Sequence, residues 1–105
     1  MRNAAVVGMG QTHHVSKRLD VNMAGLVREA AQRALDDAEL TYDDIDAVVI
    51  GTAPDLFEGV ALPEWWLAGA LGAHGKPILR IHTMGSVGGY TAISAFYHVA
   101  SGIFD

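Results

Sequence analysis

Ser86 is the residue of this chain best placed to do chemistry. It lies in the run TMGSVGGYTA, Thr83 to Ala92, between a short apolar stretch that starts at Ile78 and a longer helical one that ends near Gly102. A hydroxyl at the first turn of a helix sits beside free backbone N–H groups and the positive end of the helix dipole, so developing negative charge is stabilised there. Gly85, Gly88 and Gly89 allow a tight turn and let a ligand or another backbone come close. The run Met84 to Gly88 nearly matches the G-x-S-x-G elbow of serine hydrolases, but Met84 replaces the first glycine and no suitably placed acid and histidine follow. The plain alternative is that Ser86 is a helix N-cap, a common use of serine.

Other chemistry-bearing residues are more scattered. Gly8 and Gly10 open a dinucleotide fingerprint, yet G-M-G-Q-T-H puts His13 where the third glycine belongs and a polar loop where a helix should start, so the run reads as a strand-ending turn. His13 and His14 are adjacent and point apart, His74 and His98 lie far along the chain, and no metal-ligand spacing joins them; they read as loop histidines. Asp55 and Glu58 form a possible acid and base pair in a glycine-containing excursion, against the ordinary reading as solvated loop carboxylates. Trp65 and Trp66, with Leu62 and Leu67, could line an acyl pocket, but core or interface packing is the favoured reading.

Composition bounds what these residues can serve. A chain of 105 residues is one domain at most. Its hydrophobic fraction of 50% and mean hydropathy of +0.23 are high for this size, so some apolar surface is expected to meet a partner or further chain. A net charge of −5 and a pI near 5.3 argue against nucleic acid or an anionic membrane as the main ligand. Without cysteine there is no disulfide, thiolate metal site or cysteine nucleophile. No apolar run reaches the roughly 18 residues of a membrane span, and Met1 to Gly10 lacks the form of a signal peptide, so the cytoplasm is expected.

The elements that must position Ser86 follow from periodicity. Asn3 to Gly8 reads as a first buried strand, and Asn22 caps a helix with apolar positions Met23, Leu26, Val27, Ala30, Ala34 and Ala38. Thr41 with Asp44 resembles a capping box, and Ala47 to Gly51 is a second buried strand. Pro63 opens a short helix through Leu71. Ile78 to His82 alternates as an edge or interface strand, and Gly88 to Ser101 is the closing helix. The order β-α-β-α-β-α predicts an α/β fold, a mostly parallel sheet with covering helices. The end at Asp105, just after a helix stop, reads as a cut where a next strand would begin.

Together these stretches resemble the N-terminal portion of the thiolase superfamily, which places its nucleophilic cysteine between a strand and a buried helix as N-x-x-C-(A/G)-S-G-x-x-A. In Thr83 to Ala92, Gly89 and Ala92 match; Thr83 stands for the asparagine, Ser86 for the cysteine, Val87 for the small residue and Gly88 for the serine. Ala30 to Asp55 resembles the family's first helix and second strand, and Val99 to Asp105 the helix end before its fourth strand. The likeness is closest to the lipid-transfer, or sterol-carrier-type, branch, often labelled acetyl-CoA acetyltransferase, where some members cleave acyl-CoA side chains by retro-aldol chemistry.

The resemblance implies that residues 1–105 are the N-terminal part of a partial thiolase-like fold handling a coenzyme A thioester, with no cofactor and no metal. It implies a substrate site at Gly85, Gly88 and Gly89 with Ser86 at the catalytic position, and a dimer contact along Ile78 to His82. Implied partners are a homo-oligomer, a complementing thiolase-like chain or a small OB-fold protein, with neither nucleic acid nor membrane. A thiol is readily made a thiolate at a helix N-terminus, whereas a serine hydroxyl needs a general base. Ser86 is therefore expected to orient the thioester or cap the helix. The alternative is a non-catalytic module that binds a partner or lipid through Trp65, Trp66 and the sheet edge.

Overall fold

The computed structural model describes residues 1–53 and 59–105, so the carboxylates Asp55 and Glu58 lie outside the described residues. Helix α1 spans Met23–Ala38, starting where the Asn22 side chain accepts the Gly25 N–H at 2.8 Å. It stops at Glu39, which turns left-handed (φ 58°) while the Leu40 N–H returns to the Leu35 carbonyl at 2.9 Å. The expected capping box is present: the Thr41 N–H donates to Asp44 Oδ2 at 2.8 Å and closes a single helical turn, Tyr42–Asp44.

Strand β1, Val48–Gly51, follows, then helix α2, Pro63–Leu67, with proline in its first turn. Strand β2, Ile78–Ile81, runs parallel to β1, with Val48 opposite Ile78 and Gly51 opposite Ile81. A second short turn, Met84–Ser86, leads into helix α3, Val87–Ala100, and Gly102 just beyond it turns left-handed (φ 85°). No helix among the described residues is long and apolar enough to cross a membrane.

Alternation along β1 decides the layers. Val48 and Ile50 face a core of Leu67, Leu71 and Ala73, closed by Met23 and Val27 of α1. Gly51 faces the other way, against Val87 and Thr91 of α3, so α3 covers the opposite side of the sheet. The α/β layering with a parallel sheet is thus the architecture expected from the sequence.

The first strand is not. Only β1 and β2 form a sheet among the described residues, and Asn3 to Gly8 is not a strand. The residues that flank it are tied to helices instead of to a sheet. Arg2 donates its N–H to the Ala100 carbonyl at 2.8 Å, Met9 donates to Asp37 Oδ2 at 2.9 Å, and Arg33 reaches the Gln11 carbonyl at 2.6 Å. Gly8 and Gly10 lie against the backbone of α1, where a Cβ on Gly8 would come 2.5 Å from the Ala34 carbonyl oxygen. These glycines serve helix contact rather than a strand-ending turn, and Val6 and Val7 are left exposed. A second correction concerns α2: Trp65 and Trp66 are 81% and 68% exposed, while Pro63 and Leu67 take the interior. Core packing of the tryptophans is therefore excluded.

Candidate functional site

Ser86 stands at the carboxyl end of β2, the end of a parallel sheet at which ligands commonly bind. The connection is conformationally unusual. Met84 adopts φ 56°, a left-handed value uncommon for a side chain of its size, and Ser86 sits at φ −91°, ψ 6°, in the bridge region. Ser86 is exposed, and its Oγ donates to the Thr83 carbonyl at 2.9 Å. No side-chain oxygen of Ser86 caps α3, so the N-cap reading in its usual form is corrected: the hydroxyl points back into the turn. Thr83 Oγ1 is buried beside it without a hydrogen-bond partner among the described residues.

Gly85, Gly88 and Gly89 surround Ser86, and a Cβ built on any of them would meet nothing within 4 Å. The space before the first turn of α3 is open. Backbone amides of a first helical turn and the positive dipole end favour an oxygen carrying partial negative charge. No histidine or carboxylate among the described residues is hydrogen-bonded to Ser86, and a hydroxyl without a base is a poor nucleophile. This arrangement can polarise a carbonyl but does not activate Ser86.

The histidines do not converge, and among the described residues no three His, Asp or Glu side chains form a metal-binding group. His98 is not a loop residue: it lies in the last turn of α3, its Nδ1 2.6 Å from the Ser94 carbonyl, and its ring stacks on Phe104.

A second feature, not anticipated from the sequence, lies beside the amino end of α1. A cavity of about 390 Å³ is lined by Arg18, Val21, Met23, Val27, Thr52 and Leu67, among others. Arg18 binds Asp20 through two 2.9 Å hydrogen bonds and Glu29 at 3.1 Å, which fastens the loop before α1 to that helix. Hydrogen bonds from Arg18 hold the Asp20 carboxyl down at about 2 and pull Glu29 below its usual range. Because the folded value is lowered, the contribution of this pair is complete above about pH 4 and fades as pH falls towards 2. Arg18→Met is expected to return the Asp20 midpoint to the ordinary carboxylate range in a carboxyl NMR titration; an unchanged midpoint would show that the ion pair is absent in solution. No local pattern announces this cluster, since Glu29 joins it across the α1 cap.

No protein-family model matches the chain. Among curated proteins, it is 28% identical over 109 residues to an acetyl-CoA acetyltransferase of Methanothermobacter thermautotrophicus, covering 100% of this chain and 27% of that protein. Among solved structures, it is similar to 3-oxoacyl-[acyl-carrier-protein] synthase III from Aquifex aeolicus VF5, with a TM-score of 0.67 and 22% identity over 81% of this chain and 27% of that one. The chain therefore spans about a quarter of the length of each. The likeness to the synthase is one of fold.

Proposed function

We propose that this chain, a member of the thiolase superfamily, is the N-terminal part of an acyl-CoA enzyme of the cytoplasm that cleaves a carbon–carbon bond, of retro-aldol or thiolase type, in lipid or sterol side-chain degradation. The observation that carries this reading is the open, glycine-lined space before α3, where the hydroxyl of Ser86, the residue that the sequence resemblance aligns with the family's cysteine, turns onto the Thr83 carbonyl. The amino end of α3 takes the thioester oxygen as negative charge builds up on it. Ser86 orients that group, and the proton-transferring residues come from other chain. Retro-aldol cleavage suits this site better than thiolysis. It needs a base at the β-hydroxyl and a stabilised enolate, not a nucleophile at Ser86.

The test is release of product from a β-hydroxyacyl-CoA by the complete native assembly carrying Ser86→Ala. Turnover is expected to fall by no more than about 10³-fold, the scale of one lost oxyanion contact. A loss near 10⁶-fold with folding intact would identify a nucleophile and overturn the positioning role. A second reading, a non-catalytic assembly or lipid-binding module, is favoured by the exposure of Trp65 and Trp66. Complete inertness of the native assembly towards acyl-CoA thioesters would select it.

A further inference from the structure

We propose that the cleft between α1 and the carboxyl end of β1 is a binding site for an aliphatic chain carrying an uncharged carbonyl group, its oxygen at Arg18 and its chain laid along α1 towards Trp66. The inference is independent of the reaction proposed above, because this cleft lies on the face of the sheet away from α3 and Ser86.

The walls set the body of the ligand. Alternation along β1 carries past Gly51, so Thr52 turns to the same side as Val48 and Ile50. There it joins Val21, Leu26 and Val27 at the start of α1, and Leu67 of α2, in lining the cavity of about 390 Å³. A second cavity of about 350 Å³ is lined by Met23, Ala24, Val60 and Trp66. Asn22 and Met23 wall both. Each volume falls in the range of ligand-binding clefts. Met23 is unbranched and flexible, so it yields to a chain that runs from one cavity to the other. Walls that are mostly apolar favour an aliphatic occupant, whose burial removes both surfaces from water.

The charges at the Arg18 end set the head group. Arg18 and Arg33 face Asp20 and Glu29, two positive groups against two negative ones. Hydrogen bonds from Arg18 hold both carboxyls below their ordinary range, so both are ionised at neutral pH and the cluster is balanced. A ligand carboxylate would add a third anion to one guanidinium, and a ligand ammonium would stand beside Arg18. Neither charge is matched. Of the five N–H groups of Arg18, four are spent on Asp20 and Glu29. The fifth, on Nη1, has no partner among the described residues. Nor has the side-chain amide nitrogen of Asn22, whose oxygen is taken by the Gly25 N–H. Both groups donate. A carbonyl oxygen, with two lone pairs and no proton of its own, matches them.

The test titrates methyl hexyl ketone into the 105-residue chain carrying Trp65→Phe, in which Trp66 is the only tryptophan. A saturable blue shift of the Trp66 emission is expected, with octanoate and octylamine each bound about 10-fold or more weakly. Arg18→Met is expected to weaken binding of the ketone by about 10-fold or more, the scale of one hydrogen bond from a charged donor. Because Arg18 also fastens the loop before α1, octene is titrated beside the ketone. A loosened loop weakens both ligands alike, whereas loss of the head-group contact weakens the ketone alone. Val27→Phe, which fills the cavity, is expected to abolish the shift while keeping the helical circular dichroism of the parent. If that variant fails to fold, methyl NMR of the parent locates the ketone instead, through shifts at Val21, Leu26, Val27 and Leu67. Absence of a saturable shift overturns the proposal, as does octanoate or octylamine binding as tightly as the ketone. So does an Arg18→Met variant that weakens ketone and octene equally or neither, a shift that survives Val27→Phe, or methyl shifts confined to other residues.

Discussion

Leu67→Ala is expected to destabilise the fold by about 2–5 kcal/mol, the range for truncating a large buried aliphatic side chain. Leu67 is 2% exposed, and it joins Ile50, Leu71 and Ala73 at the place where α1, α2 and the sheet meet. Neither Met23 nor Val27 can follow it inward without dragging α1 off the sheet, so the space left behind would not close. Among the described residues, few other apolar side chains are fully buried. Total stabilities of small domains are about 5–15 kcal/mol, so this one change removes a large share and should shift the urea midpoint accordingly. Trp65→Ala provides the contrast. Although it removes more atoms, its side chain is 81% exposed, and the expected change is within about 0.5 kcal/mol. Comparable losses for the two would mean that α2 presents a different face to the core.

That contrast marks where the sequence is informative. The cap at Asn22, the box at Thr41 and Asp44, the two parallel strands and the extent of α3 are all signalled within a few residues of where they occur, because helix caps and strand patterns are local. Asn3 to Gly8 carries an equally good local strand pattern. Whether it becomes a strand depends on distant groups, and those that bind its flanks, Asp37 at the Met9 amide and the end of α3 at the Arg2 amide, are not visible from its own residues. Trp65, Trp66 and Leu67 are indistinguishable by composition, yet the pitch of one helical turn buries only the last. Ser86 was identifiable by position; the hydrogen bond to Thr83 and the left-handed Met84 were not, because both depend on how the turn leaves β2. The cavity at Arg18 joins segments from the loop, α1, the end of β1 and α2, and such a meeting has no sequence period.

The position at which fold and candidate site are most tightly joined is Gly51. It ends β1, and a Cβ there would run into Thr91 Oγ1 while standing 3.0 Å from Val87 Cγ2, both in the first turns of the helix that carries Ser86 at its start. Thr91 cannot simply swing away, because its hydroxyl donates to the Val87 carbonyl at 2.7 Å. Gly51→Val is therefore expected to cost about 3 kcal/mol, at the upper end for overpacking, and Gly51→Ala about 1–2 kcal/mol. The relief must come from α3 lifting at its amino end, which moves Ser86 relative to β2. A double-mutant cycle isolates the contact. Thr91→Ala removes the hydroxyl that Gly51→Ala meets, so the two changes together should cost about 1 kcal/mol less than the sum of their separate effects. Denaturant titration of the four proteins measures this coupling. Strict additivity would show that α3 does not rest on Gly51, and that the amino end of the helix, with Ser86, is held by the β2 turn alone.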